Sequence, residues 1–519
     1  MSQTSKQTSP AIIESTPLLT ASQAFPALER LFLNAENRIS LGFRIFDPRT
    51  RLHSPEARTI GKDWFDLIVH TLKRGVEIDL VVSDFDAIVC PDYHQRATRC
   101  VRLALAAAEV SGHPERLRAS ASLHPARVGW LPSLVLWIRA RGFLLRTGVK
   151  LNALSSAARA RRLSELPQLR PYFIEDGERK VTLKSLKLPR LCPVTHHQKV
   201  AVADGNTLYI GGLDLNDRRY DTPDHNRPAS ETWHDTQLLI RGPVAAQTEA
   251  HLANFRDVTY GAPPVDAPDL LRTISRRRNT LPTFMSPMPV LTELAEAHAA
   301  RARAATGLIY LESQFFRDTS FARLLARKAR RTPELSMVLI LPAAPDDIAF
   351  KNNSDSDAKY GEFLQAKCVS ILRKAFGDRL FIGSPAQRRK AEENSRATTY
   401  GAPLIYLHAK VSIFDDTAAI VSSANLNGRS FRWDTEAGVT LTDRAHIEDL
   451  KIRCISHWLD GPVPDAFLDP ERAVDAWWAR AHANARRAPE DRDGYIVPYA
   501  SAPARRFGRN LPGIPEEMV

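Results

Sequence analysis

Residues 196–225 read HHQKVAVADGNTLYIGGLDLNDRRYDTPDH, and residues 407–430 read LHAKVSIFDDTAAIVSSANLNGRS. Each stretch sets a histidine and a lysine two residues apart at the head of an apolar run. One H-x-K is weak information. Here His197, Lys199, Asp204 and the pair Gly211-Gly212 recur with the same internal spacing as His408, Lys410, Asp415 and Ser422-Ser423. Five matched elements in register indicate an internal duplication.

Working outward, the duplication extends to the flanking chain. ENRISLGFRIFD, WFDLIVHTLKRG and VEIDLVVSDFD, from Glu36 to Asp86, predict strand, amphipathic helix and strand. TGLIYLESQFFRD, FARLLARKARRT and LSMVLILPAAP, from Thr306 to Pro345, predict the same order. The expected fold class is mixed α/β: two pseudo-symmetric halves, each a mixed β-sheet flanked by helices, with the active site at their interface.

The expected organisation is a mobile N-terminus over 1–22, a first half over 23–260 and a proline-rich, basic linker over 261–288. A second half follows over 289–460, then a C-terminal helix and Pro/Arg-rich tail over 461–519. The path from Ile39 to His197 is far longer than from Ile309 to His408, so the first half carries an insertion, placed at about 109–187. There Trp130, Trp137 and Phe143 stand among Arg127, Arg139, Arg141, Arg146 and Lys150, a pattern that suits a segment lying on lipid. The plainer expectation is an amphipathic helix packed over the site's rim. Trp477 and Trp478, in the C-terminal helix, are expected to pack rather than bind.

The composition is that of a globular chain, 44% hydrophobic and 25% charged. No apolar run reaches the length of a membrane span, and the first residues lack a secretory signal pattern, so the expected location is cytoplasmic and peripheral to a membrane. Five scattered cysteines without a C-x-x-C pair predict reduced thiols rather than a disulfide framework or zinc cluster. A net charge of +12 suits a phosphate-rich partner, either an anionic membrane or nucleic acid.

Residues i and i+2 of a strand share a face, so His197 and Lys199 point together, as do His408 and Lys410. Two such strands brought together make a phosphate site. One histidine attacks phosphorus, the other protonates the departing oxygen, and the lysines hold the remaining oxygens. This chemistry needs no metal or cofactor, and none is expected at the site. The two imidazoles must hold opposite protonation states, which calls for an acidic partner on each far ring nitrogen. Asp235 and Glu436, each at the start of an apolar strand after an H-x-K segment, are the candidates. Asp204 and Asp415, at the other end of their strands, are expected to brace turns.

The doubled H-x-K-x4-D-x6-G-G (or S-S-x-N) pattern resembles the phospholipase D superfamily. IGGLDL with RRYDTPDHN, then TWHDTQLLIRGPVA, and IYLESQFF are similar to the eukaryotic-type catalytic core of that superfamily, over about Ile39 to Trp458 without the insertion. The resemblance implies that His197 forms a phosphohistidine and His408 is the general acid, later the base. It implies that Lys199, Lys410 and Asn425 contact phosphate, and that Asp235 and Glu436 orient the histidines. Asp214 stands where the other motif has Asn425, and it is expected to bind the headgroup or brace the site. Gln314, in the LESQFF loop, is carried as a substrate-binding residue, although Ser313 departs from the asparagine common in relatives.

The implied activity is hydrolysis of glycerophospholipid headgroups to phosphatidic acid, with transphosphatidylation when an alcohol replaces water. A cardiolipin-type synthase and a metal-independent nuclease are the alternatives, the latter disfavoured because both motifs lie in one chain. A catalytically dead scaffold is disfavoured by the intact His and Lys pairs, and the sequence is silent on export as a toxin. A phospholipid surface is the expected partner, and a monomer the expected state. With no stretch assignable to an accessory lipid-binding domain, the basic surface or the insertion is expected to make the membrane contact.

Overall fold

The computed structural model describes residues 11–519 except 176–179, 185–186, 279–282 and 284–286. In the first half, strands β1 (Glu14–Leu19), β2 (Arg38–Phe43), β3 (Glu77–Ser83), β4 (Leu117–Ser122), β5 (Lys199–Ala203), β6 (Thr207–Gly211) and β7 (Thr236–Arg241) form one sheet in the order β1-β7-β6-β5-β2-β3-β4. In the second half, β8 (Leu270–Arg276), β9 (Met288–Thr292), β10 (Leu308–Ser313), β11 (Ser336–Ile340), β12 (Leu380–Pro385), β13 (Lys410–Phe414), β14 (Ala418–Ser422), β15 (Glu436–Leu441) and β16 (Ile496–Pro498) form another. Their order is β9-β8-β15-β14-β13-β10-β11-β12-β16. Without its two edge strands the second sheet repeats the first position by position. In both, the last two neighbour pairs are parallel and the rest antiparallel. The mixed α/β fold class expected from the periodicity is the one observed.

Local chemistry explains the matching helices. Helix α1 (Trp64–Lys73) starts at Asp63, whose carboxylate accepts from the Phe65 and Asp66 amides, and it buries Trp64, Leu67, Ile68 and Leu72. The long helix α2 (Trp130–Asn152) belongs to the insertion. Helix α3 (Thr319–Arg331) starts at Asp318 and buries Phe321, Ala322, Leu325 and Ala329. Its last turn carries Lys328, Arg330 and Arg331 at the negative end of the helix dipole. Helices α4 (Arg444–Leu459) and α5 (Ala473–Arg486) follow.

The two sheets share a core. Val200, Val202, Leu208 and Ile210 of the first sheet lie in one buried cluster with Tyr310, Val338, Val411 and Val421 of the second. Each such side chain contributes about 1.5–3 kcal/mol, so the halves are held as one body. Strand alternation puts Val200 and Val202 into this core and leaves Lys199 on the opposite face, with Ala201 and Ala203.

Three expectations are corrected. Within the segment expected to be mobile, 14–19 form β1, paired along its length with β7, and Thr20 begins a helix; residues 1–10 lie outside the described residues. The expected linker contains β8, which pairs with β15, and its end, at Met288, begins β9; the rest of that stretch is only partly described. The insertion begins later than 109, because β4 is an integral parallel neighbour of β3. The extra chain has its own core of Val128, Ala140, Leu144, Leu151, Leu163 and Phe173. The tail wraps the second half. β16 extends its sheet, the buried Trp477 stacks on Phe381, and the Val519 carbonyl accepts from Asn427.

Asp204 and Asp415 do brace turns. Each takes a positive φ, +50° and +52°, in the tight turn closing the hairpin of its H-x-K strand. Asp204 accepts from the amides of Glu36, Asn37 and Arg38 at 2.8–2.9 Å, and Asp415 from those of Thr306, Gly307 and Leu308 at 2.9 Å. Burial pushes the Asp204 carboxyl up, but these amides hold it below its ordinary value. Asp204→Ala is expected to cost about 1–3 kcal/mol, read as a lowered midpoint in urea unfolding, with Asp415→Ala behaving alike.

Candidate active site

The two H-x-K segments meet because each is hydrogen-bonded to the segment that precedes the acid of the other half. The His197 amide donates to the Thr435 carbonyl at 2.7 Å, and the Thr435 amide to the Thr195 carbonyl at 3.0 Å. On the other side the His408 amide donates to the His234 carbonyl at 2.7 Å, and the His234 amide to the Tyr406 carbonyl at 2.9 Å. The orienting acids are therefore exchanged. His197 Nδ1 lies 3.0 Å from the Glu436 carboxylate, and His408 Nδ1 lies 2.6 Å from Asp235 Oδ2. An imidazole donating from Nδ1 keeps its lone pair on Nε2, which leaves that atom able to attack or to carry a proton.

The small residues of each motif serve these carboxylates. A side chain at Gly212 would meet Asp235 Oδ1 at 2.2 Å, so glycine is what lets that acid approach. At the matching place Ser423 donates its hydroxyl to Glu436 Oε2. Asp235 also accepts from the Thr236 amide at 3.0 Å and from Trp233 Nε1 at 3.3 Å.

Burial sets the electrostatics. His197 and His408 are 8% and 3% exposed, and both lysines are buried. Burial, then the adjacent lysine, holds both histidines well below their ordinary value, and His197 is itself among the charges that act on His408. Burial lowers Lys199 to about 8 and Lys410 to about 7, partly opposed by the site's carboxylates. It raises Asp235 to about 6 and Glu436 to about 8. Each lysine also donates to the carbonyl of its own histidine.

The remaining expected residues fall as follows. Asn425 is buried with Oδ1 unpartnered. Gln314 reaches the site, accepting from Lys410 Nζ at 3.4 Å while donating to the Tyr406 hydroxyl at 2.7 Å. Asp214 is braced rather than presented. Its Oδ1 accepts from the Ile45 amide at 3.0 Å, its Oδ2 lies 3.8 Å from Arg44, and its charge supports the Lys199 ammonium.

Three arginines escaped the sequence reading. Arg44 and Arg429 bear on His197, and Arg219, with its guanidinium 3.5 Å from the Trp233 ring centroid, bears on His408. Two had a signal in the repeat. Phe46 pairs with Leu215 as Phe316 does with Leu426, so Arg44 occupies in its half the place of Gln314. Asn427-x-Arg429 likewise repeats Asn216-x-Arg218. A cleft of 330 Å³ beside Arg44 is lined also by Arg49, Tyr93, Arg96, Arg99 and Arg218.

Residues 303–458 match the family model described as "Cardiolipin synthase, PLD-like domain". Cardiolipin synthase A of Pseudomonas putida (strain W619) is 26% identical over 252 residues, covering 48% of this chain and 44% of that protein. Phospholipase D alpha 1 of Carica papaya is 22% identical over 406 residues, 53% of this chain and 50% of that protein. The solved phosphatidylserine synthase of Haemophilus influenzae Rd KW20 aligns at a TM-score of 0.47 and 11% identity, over 91% of this chain and 93% of that one. The chain spans about half the length of the curated relatives it matches. A family model over residues 303–458, relatives with both synthase and lipase names, and a first half that repeats the second strand for strand support the resemblance of this chain to the phospholipase D superfamily.

Proposed function

We propose that the protein is a phosphodiesterase that cleaves glycerophospholipids on the headgroup side through a phosphohistidine. His197 Nε2 forms the bond to phosphorus, the bond from phosphorus to the headgroup oxygen breaks, and His408 passes its proton to that oxygen. Water then gives its proton back to His408 as its oxygen displaces the histidine nitrogen, leaving phosphatidic acid. Lys199, Lys410 and Asn425 hold the phosphate oxygens. The observation that carries this reading is the exchanged pairing of two imidazoles with two buried carboxylates beside two buried ammonium groups.

Burial raises both carboxyls, so each imidazole–carboxylate pair can hold one shared proton, as an acid and a nucleophile in turn require. The resemblance favours attack by His197. Trapping the phosphoenzyme and mapping the labelled peptide decides: label on His197 is expected, and label on His408 exchanges the two roles.

A lipid substrate is supported by α2. Leu131, Leu134, Val135, Ile138, Leu145 and Val149 recur at helical spacing and are exposed, Val135 and Ile138 by 82% and 84%. Arg139, Arg146 and Lys150 flank them. An apolar stripe with basic flanks fits the interfacial layer of an anionic bilayer. It favours the lipid contact over the expectation of a purely packed rim helix. Among the described residues no helix is long and apolar enough to cross a membrane, so attachment from one face is the reading proposed.

Phosphatidyl transfer to a second lipid is the other reading. Its support is the arginine-lined cleft beside Arg44, which has room for a phosphate-bearing acceptor, together with relatives named cardiolipin synthase.

Vesicles of several headgroups incubated with the protein are expected to yield phosphatidic acid, and a phosphatidyl-alcohol when a primary alcohol is added. His197→Ala should lower both products at least about a thousandfold; release of product at the wild-type rate refutes the mechanism. A phosphatidylglycerol substrate yielding a diphosphatidyl product instead selects the transfer reading. Because the free lysines lose their protons as pH rises through about 7 and 8, kcat/KM is expected to fall over that interval. The fall in kcat should come at higher pH, since bound phosphate stabilises the ammonium form. The paired change Val135→Asp and Ile138→Asp should weaken vesicle binding about tenfold or more, with turnover of a soluble short-chain diester unchanged.

A further inference from the structure

Away from the phosphate site, three histidines from two segments converge. His225 and His234 both lie in the connection between β6 and β7, His234 just ahead of Asp235, and His457 lies in the last turn of α4. Each offers one ring nitrogen, and the three atoms lie within 4.8 Å of one another. His225 Nε2 is 3.0 Å from His457 Nε2. Asp221 Oδ2 accepts from His225 Nδ1 at 2.7 Å, which fixes the tautomer and leaves the His225 lone pair on the nitrogen facing His457.

His234 has no exposure, and neither of its ring nitrogens has a hydrogen-bond partner. Leaving such a group unsatisfied is costly. Its nearest acid is Glu312, whose Oε1 accepts from the Tyr310 hydroxyl at 2.6 Å and Trp458 Nε1 at 2.8 Å. The other oxygen, Oε2, is itself unpartnered, 3.7 Å from His234 Nε2.

We propose that His225, His234 and His457 form a structural site for a divalent first-row transition metal, zinc by preference, separate from the catalytic centre. Three neutral imidazoles suit a borderline ion, and a carboxylate behind a ligand histidine, as Asp221 stands behind His225, is the usual support of such a ligand. Glu312 is placed to support His234 in the same way. His457, the partly exposed member, gives access to solvent for the fourth position. The ion ties α4 of the second half to the loop ahead of β7 in the first. The His234 carbonyl also accepts from the His408 amide, and His234 adjoins Asp235, so the clamp acts one residue from the carboxylate paired with His408. These are positioning residues; none touches phosphorus.

The competing account is a metal-free hydrogen-bonded chain from Asp221 through His225 to His457, which leaves His234 unpaired. The full chain, equilibrated with zinc and dialysed into metal-free buffer, is to be analysed for bound metal and thermal unfolding, with cobalt(II) as the spectroscopic probe. About one zinc per chain, a raised Tm and the visible bands of nitrogen-ligated cobalt are expected. His457→Ala should lose at least about tenfold in zinc affinity and the Tm response, while His197→Ala should keep both and lose phosphodiester cleavage. Substoichiometric metal after equilibration, or full retention of metal by His457→Ala, overturns the proposal. If His457→Ala does not fold, zinc competition between the wild-type protein and a chromophoric chelator decides alone.

Discussion

Everything at the centre of this protein depends on two imidazole–carboxylate pairs, each formed across the boundary between halves. Neither half completes its own. Separated from its partner, the first half would present His197 without Glu436 and Asp235 without His408. The shared core supplies the adhesion, and the backbone bonds from His197 to Thr435 and from His408 to His234 supply the register. A shift of one residue in either would turn a histidine away from its acid, because side chains alternate along a strand. Duplication thus yields a single site whose two sides hold each other in place.

The same burial that gives the pairs their strength makes the site electrostatically tense. Two lysines, two histidines and three carboxylates lie close together with little solvent. Burial opposes charge on both lysines and both histidines and on Asp235 and Glu436, pulling the lysines to about 7 and 8 and lifting those two carboxyls. Asp214, held by the Ile45 amide, is one of the charges that keep Lys199 protonated. The phosphodiester proposed as substrate would bring the counter-charge such a cavity wants, at the point where a low local dielectric makes it count most.

Around this symmetric centre the halves diverge. The insertion of the first half adds α2 and a small core of its own, with no counterpart in the second. The second half adds its edge strands and α5. The candidate reacting groups sit at the ends of rigid strands, while the surface proposed to meet a membrane sits on an added segment, a common division of labour.

Local pattern was enough for the duplication, the strand–helix–strand order of each half, the candidate reacting side chains and the bracing role of Asp204 and Asp415. These follow from short-range periodicity and from a motif whose internal spacing is preserved. It also exposed Asp235 and Glu436 as candidates, but not which histidine each serves, since exchange across the interface leaves no trace in local spacing. The repeat pointed to Arg44 through its counterpart Gln314, but the different chemistry of the two residues masked the correspondence. Only the tertiary structure decided those pairings, as it did the bracing of Asp214, the incorporation of residues 14–19 and the tail into the sheets, and the meeting of His225, His234 and His457. Each depends on contacts between residues far apart along the chain, where pattern carries no distance and only packing brings the groups within reach.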